Sequence, residues 1–260
     1  MSFPYKHVLL VGATSGIGKS MADRLVKEGV KVTGVGRRKD RVEEFVKKHG
    51  NDKADGMAFD IGDIEKAPQF AADAIKKSPD IDCIFLNAGI QNPYDWSKPA
   101  ELDLKGFLNE IKVNFTSFVA LTHAFLPLLL DKKSQTSIIF TGTHLSLVPA
   151  VTLSAYSASK AALDAFILCL RDQLRKSTVK IIELSPPPVQ TELHDYAGDA
   201  GRRMGMPVDQ FTDEAYTGLM SGSPEIIIGS VGGSSREAFD EIIIRRKSAF
   251  DRLAKLLRGD

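Results

Sequence analysis

Two hydrophobic periods alternate along the chain. Short runs that are apolar throughout and rich in β-branched residues, such as "HVLLVGA", "VKVTGVG" and "KIIELSP", are separated by longer stretches in which apolar residues recur every three or four positions. "GKSMADRLVKEG" and "KDRVEEFVKKHG" are of the second kind, and each predicts a helix that stops at a glycine, Gly29 and Gly50. The alternation continues through "GMAFDI", a helix over Ala67 to Ser78, "DCIFLNAG", a long helix from about Phe107 to Leu130, "TSIIFTGT", a helix containing Tyr156, "KIIELSP" and "EIIIGS". Seven strands alternating with helices predict parallel pairing, because a parallel return needs a long crossover. Strands apolar on both faces fit a sheet covered by helices on both sides. The expected fold class is α/β, a doubly wound seven-stranded parallel sheet in a single domain over 1–260.

Two segments depart from the alternation. From about 187 to 224 the chain mixes prolines, glycines and methionines ("PPPVQTELHDYAGDAGRRMGMPVDQF"), the character of a substrate loop inserted after a strand's carboxyl end. From about 236 to 260 the sequence predicts an amphipathic helical tail with Phe250, Leu253 and Leu257 on one stripe, packed within the chain or across a dimer interface.

Charge narrows the function. Lysine and arginine total 34 against 33 acids, a net charge of +1 that argues against a broad nucleic-acid or membrane surface and for small ligands. No run of about 18 apolar residues predicts a membrane span, and "MSFPYKHVLLVGA" has no signal-peptide pattern, so the expected location is cytoplasmic. Cys83 and Cys169 sit in apolar runs without metal-like spacing and read as reduced core residues, and His144 and His194 lack the partners a metal site needs.

"GATSGIG" follows the first strand and opens a helix, placing Gly12, Gly16 and Gly18 where a backbone turns tightly against a pyrophosphate. This is the Rossmann-type context. After the second strand come Arg37 and Arg38, with no acid to accept from a ribose diol; arginine there suits a 2′-phosphate, so NADP(H) is expected over NAD(H). A solvated basic turn paired with Glu43 or Glu44 is the bland alternative. In "SAYSASKAALDAF", Tyr156 and Lys160 lie one helical turn apart, so the ammonium is expected to lower the phenol's pKa for proton exchange.

Together with "LNAGI" and Asn114 in "KVNFTS", these motifs resemble the short-chain dehydrogenase/reductase family, classical type, over nearly the full length. The resemblance implies an NADPH-dependent oxidoreductase that moves hydride between nicotinamide and a carbonyl or alcohol. Tyr156 would be the general acid/base, assisted by Asn114, Thr143 and Lys160. It implies cofactor contacts from Gly12, Thr14, Ser15, Gly16, Ile17, Gly18, Arg37, Arg38, Asp60, Ile61, Asn87, Ala88, Gly89, Tyr156, Lys160, Pro186, Val189 and Thr191. A substrate pocket is expected around Thr143, His144, Leu145, Ser146, Tyr156, Leu193 and His194, with Leu147, Tyr196, Met204 and Met206 as further apolar candidates for a moderately lipophilic ketone or aldehyde. A homodimer or homotetramer is expected.

The sequence departs from the family at three places. Thr143 stands where a serine is usual, with Ser146 as an alternative hydroxyl; Leu86 replaces an asparagine, and Pro187 replaces a glycine. These substitutions keep open a cofactor-sensing protein with little catalysis; an imine or enone reductase on the same scaffold is a third reading.

Overall fold

The computed structural model describes residues 3–259; Met1, Ser2 and Asp260, the ends of the expected 1–260 span, lie outside the described residues. The strands are β1 (His7–Val11), β2 (Lys31–Gly36), β3 (Ala54–Ala58), β4 (Cys83–Leu86), β5 (Thr136–Thr141), β6 (Val179–Ser185) and β7 (Glu225–Ile227). Among the described residues they form one seven-stranded sheet in the order β3-β2-β1-β4-β5-β6-β7, every pairing parallel, as expected. The chain winds outward from β1 to β3, returns to β4 on the other side of β1, and winds outward again. A crevice opens where the winding direction reverses, beyond the carboxyl ends of β1 and β4.

Period-two alternation assigns each strand residue to one of two cores. Val8 and Leu10 of β1 face a layer that holds Met21 and Leu25 of α1 (Gly16–Lys27) and Phe45 of α2 (Lys39–His49). Leu9 and Val11 face the opposite layer, with Phe70 of α3 (Ala67–Lys77). Burial of each such side chain stabilises by about 1.5–3 kcal/mol, which fixes the register of the strands and hence the positions of their carboxyl ends.

The predicted long helix is three consecutive pieces: α4 (Leu104–Ile111), a π-helical turn (Lys112–Thr116) and α5 (Ser117–Asp131). It starts earlier than the periodicity indicates because Asp103 caps it, its Oδ1 accepting from the Gly106 N–H at 2.9 Å. Leu104–Asp131 is also long and apolar enough by length and composition to cross a membrane, contrary to the expectation that the chain has no such run. Its Phe118, Leu121, Phe125 and Leu129 are spent on the core.

The helix α6 (Ser154–Gln173) carries Tyr156 and Lys160 on its buried side, whereas Cys169 is exposed, correcting the expectation of two core cysteines; Cys83 is buried. The segment 187–224 is also more regular than its composition indicates. After a 3-10 turn (Glu192–Ala197) and the short α7 (Gly198–Arg202), α8 (Val208–Met220) buries Phe211, Ala215 and Leu219 at helical spacing. Finally, α9 (Arg236–Arg258) is the predicted tail. Phe239 anchors its first turn in the protein, and Arg246 and Arg258 pair with Asp164 and Asp172 of α6, but Leu253 and Leu257 of the expected apolar stripe stand in solvent.

Candidate active site

A cavity of about 550 Å³ occupies the crevice. Its floor begins at the glycine turn. Gly12 has a φ of 92°, and a Cβ there would stand 2.8 Å from the Ala88 backbone, so only glycine lets β1 turn this close to the end of β4. Ser15 precedes α1 without capping it through its side chain, which leaves the first-turn N–H groups of that helix for a ligand. A bare, positively polarised helix start beside a backbone cradle fits the pyrophosphate of a dinucleotide. Gly18 does not line the cavity: a Cβ would meet the Gly12 carbonyl oxygen at 2.0 Å, so this glycine serves the packing of α1 on the turn, and its expected cofactor contact is corrected to that role.

Of the other residues expected to touch a cofactor, Thr14, Ser15, Gly16, Ile17, Arg37, Arg38, Asp60, Ile61, Asn87, Ala88, Gly89, Pro186, Val189 and Thr191 all line the cavity, with Tyr156 and Lys160. Asn87 is fixed by the Thr141 hydroxyl, which donates to its Oδ1 at 2.9 Å. Arg38 takes neither Glu43 nor Glu44 as partner. Glu43 pairs with Lys39, and Arg38 donates to Glu192 at 3.1 Å across the mouth of the crevice.

The chemical centre lies where β5, α6 and the π turn meet. Thr143 follows the carboxyl end of β5, and its Oγ1 accepts from the Leu145 N–H at 3.3 Å. Tyr156 is buried against it. Burial raises the phenol's pKa, the field of Glu110 raises it further, and the hydrogen bond from Thr143 opposes both. Lys160 is fully enclosed, and burial lowers its pKa to about 8 against the pull of Glu183. Its Nζ donates to the Thr141 carbonyl at 2.7 Å and lies 5.8 Å from the centre of the Tyr156 ring. The direct lowering of the phenol by the ammonium, expected from the helical spacing, is therefore not what these positions produce: desolvation dominates and Lys160 is turned to a backbone carbonyl.

Asn114 is completely buried in the π turn, whose extra residue rotates its amide toward the cavity wall. Its Oδ1 accepts from the Ile90 N–H at 2.9 Å and its Nδ2 donates to the Ile90 carbonyl at 2.8 Å. A longer contact, 3.3 Å, reaches Ser159, whose hydroxyl donates to the Tyr156 carbonyl. Asn114 thus ties the wall after β4 to the helical turn that carries Tyr156.

The expected substrate residues separate. Thr143, His144, Leu145, Tyr156, Leu193 and His194 line the cavity, together with Tyr196 and Met204. Ser146 does not: its hydroxyl donates to the Thr143 carbonyl at 2.8 Å, and it lines a smaller depression of about 40 Å³ with Leu147, Asp164 and Glu183. Its expected place in the substrate pocket is corrected accordingly. Met206 also faces away, its backbone bridging to Val189 and its side chain packed on the core. His144 is buried against Phe239, ring centroids 4.7 Å apart, and burial holds its pKa below the ordinary value. Burial does the same for His194.

Four residues that sequence reasoning did not single out complete the site. Gln91 gathers two pocket residues: its Oε1 accepts from the Tyr196 hydroxyl at 3.0 Å and lies 3.0 Å from His194 Nδ1. Asn92 donates to Glu110 at 2.9 Å, and burial lifts that carboxyl to about 7. Arg41, three residues after Arg38 on the same helical face, donates to Glu192 at 2.9 Å; that spacing was the only signal in the sequence.

A doubly wound sheet with a dinucleotide cradle at its switch point and a Thr–Tyr–Lys cluster beside it defines a nicotinamide-type oxidoreductase. The chain belongs to the short-chain dehydrogenase family, whose model (short chain dehydrogenase) matches residues 6–200. It is similar to the "Uncharacterized oxidoreductase DltE" of Bacillus subtilis, 32% identical over 244 residues that cover 90% of this chain and 94% of that protein. It is also similar to the "NADP-dependent 3-hydroxy acid dehydrogenase" of Schizosaccharomyces pombe, 30% identical and covering 72% and 73%. A short-chain dehydrogenase/reductase from Burkholderia phymatum, solved in complex with NAD, shares the fold at a TM-score of 0.77 and 18% identity, over 87% of this chain and 90% of that one. As a member of this family, the protein is an oxidoreductase of small molecules that works with a nicotinamide dinucleotide on CH–OH or C=O groups.

Proposed function

We propose that the protein is an NADPH-dependent reductase of carbonyl compounds, with Tyr156 as the proton donor. The carrying observation is the pair of hydroxyls, Thr143 and Tyr156, buried side by side at the cavity wall next to Lys160. A bound dinucleotide supplies the hydride. A phenol that burial keeps protonated is in the donor state at the pH where a reductase works, and the oxygen it protonates becomes far more basic as the carbonyl is reduced. The Thr143 hydroxyl lines the cavity beside it and can turn to donate to charge developing on that oxygen. Lys160 holds the segment after β5 through Thr141 and lends the cavity a positive charge below about pH 8. A binding-only sensor has no use for this hydroxyl pair.

The preference for NADP(H) rests on Arg38 and Arg41, two guanidinium groups side by side at the adenosine end, and the relative from Schizosaccharomyces pombe is in keeping with it. On the substrate side, Leu145, Leu193 and Met204 offer an apolar surface beside the polar Gln91, His194 and Tyr196. They favour a ketone or aldehyde with an apolar body and one further polar group. A cytoplasmic, homo-oligomeric enzyme is part of the same reading; the exposed Leu104, Leu108 and Leu130 of the long helix support self-association. The test is NADPH oxidation against a panel of ketones, aldehydes, 3-oxo acids, imines and enones. Turnover of carbonyls supports the proposal, and turnover confined to C=N or C=C bonds overturns it.

A further inference from the structure

Glu192 sits where the proposed cofactor site expects an anion. Its Oε1 accepts from Arg41 at 2.9 Å and its Oε2 from Arg38 at 3.1 Å, with a second contact to Arg41 at 3.2 Å. The same two arginines reach the glycine turn: Arg38 approaches the Thr14 hydroxyl at 3.5 Å and Arg41 the Thr14 carbonyl at 3.4 Å. All three charged side chains are only half-buried, at 36–41% exposure, so the bridge is open to exchange with a competing ligand. Partial burial acts to raise the Glu192 carboxyl, but the hydrogen bonds from Arg41 and Arg38 outweigh it and hold it below the usual range, so it is an anion at neutral pH.

The residue before it closes the gap. Thr191 packs over Gly16, its Cβ 3.1 Å from where a Gly16 side chain would begin, so the strand of chain over the crevice lies directly on the pyrophosphate turn. This strap is held firmly at its other end, where the Gln190 N–H donates to the Met206 carbonyl at 2.9 Å and Val189 pairs with Met206. Between these ends Gly198 adopts a positive φ with nothing within 4 Å of it, which gives the segment a joint, while Gly205 is packed on Pro188 at the held end. At the cavity end, then, the strap is tied by the Glu192 carboxylate and by Gln91, which holds His194 and Tyr196, and the residues Leu193 to Tyr196 line the substrate space.

We propose that Glu192 is a built-in occupant of the 2′-phosphate site: a 2′-phosphorylated dinucleotide displaces its carboxylate from Arg38 and Arg41 and so releases one of the two ties on the Leu193–Tyr196 wall, loosening it against Gln91, whereas a dinucleotide without that phosphate leaves that tie in place. This rests on the NADP(H) reading above and adds a specificity determinant to it. A phosphate carries more charge than a carboxylate and accepts from both guanidinium forks, so it wins the arginines. The displacement weakens its binding by a set amount, and by reciprocity the loosened wall strengthens it.

Equilibrium binding of NADPH and NADH, followed by cofactor fluorescence, is measured for the wild type, Glu192→Gln, the double variant Arg38→Ala/Arg41→Ala, and the triple variant. Amide hydrogen exchange across Leu193–Tyr196 is read in parallel. Glu192→Gln is expected to tighten NADPH about three- to tenfold and NADH less than twofold, and to have no effect on either cofactor once both arginines are gone. Saturating NADPH is expected to change exchange across Leu193–Tyr196 in the wild type, and NADH is not. A Glu192→Gln variant whose NADPH-to-NADH affinity ratio stays within twofold of wild type overturns the proposal. If instead the double arginine variant binds NADPH as tightly as the wild type, the cofactor reading itself has failed, and the latch falls with it.

Discussion

Lys160 donates to the Thr141 carbonyl at 2.7 Å while its Nζ lies 5.8 Å from the centre of the Tyr156 ring. The two residues are neighbours on one helical face, but the ammonium is engaged with the backbone after β5 and the phenol with Thr143. Tyr156 in this arrangement is buried and held neutral, the state the proposed proton donor needs, and Lys160 is tied to the wall through Thr141.

Thr143 is the hydroxyl that faces the cavity, so Thr143→Ala is expected to lower kcat by about tenfold to a thousandfold, with Thr143→Ser retaining most of the activity. Ser146→Ala, on the far side of the same turn, is expected to lower kcat less than threefold. Steady-state kinetics on one carbonyl substrate decides between them, and equal losses from both alanine variants contradict the assignment.

Gly12→Ala is expected to destabilise the fold by about 1–3 kcal/mol, because the new methyl group meets backbone atoms of Ala88 that have no room to move, at a φ that disfavours a side chain. Gly29→Ala, where nothing stands within 4 Å but φ is also positive, isolates the conformational part alone. Urea denaturation of the pair should show the larger loss at Gly12.

Two buried groups set opposite pH limbs. Burial raises Glu183 from 4.5 to about 8, so between those values the folded chain holds a proton the unfolded chain has lost, and stability falls as pH rises. Burial lowers Lys160 from 10.5 to about 8, so above pH 8 the unfolded chain binds the extra proton and stability rises toward pH 10.5. The Tm of Glu183→Gln, compared with wild type across pH 5–10, should lack the falling limb between pH 5 and 8. A difference that does not change with pH over that range rules this out.

Arg38→Ala/Arg41→Ala is expected to weaken NADPH at least tenfold and NADH less than threefold, since each charged hydrogen bond to phosphate is worth about 1.5–3 kcal/mol. Isothermal titration with both cofactors checks it; equal losses for the two contradict a 2′-phosphate site.

What the sequence makes legible is local. The glycine turn, the strand–helix alternation and the Tyr156–Lys160 pair are short-range patterns whose physics is complete within a dozen residues, and the parallel pairing of the strands follows from the alternation because a parallel return needs a long crossover. What it hides is long-range or rotational. Glu192 meets Arg38 and Arg41 across more than 150 residues of chain. Gln91 acquires its role only when His194 and Tyr196 fold over it. Ser146 and Thr143 are three residues apart, and a single 3-10 turn sends one hydroxyl into the cavity and the other behind it. The period of α8 is plain in Phe211, Ala215 and Leu219, but the prolines and glycines just before it set the character of the whole segment.

The central claim is that Tyr156 gives the proton, and single-turnover oxidation of bound NADPH by a carbonyl substrate in Tyr156→Phe tests it most directly. The account predicts that hydride transfer slows by about 10²–10⁴-fold while NADPH affinity stays within about threefold of wild type. Hydride transfer in the phenylalanine variant at a rate close to wild type contradicts it.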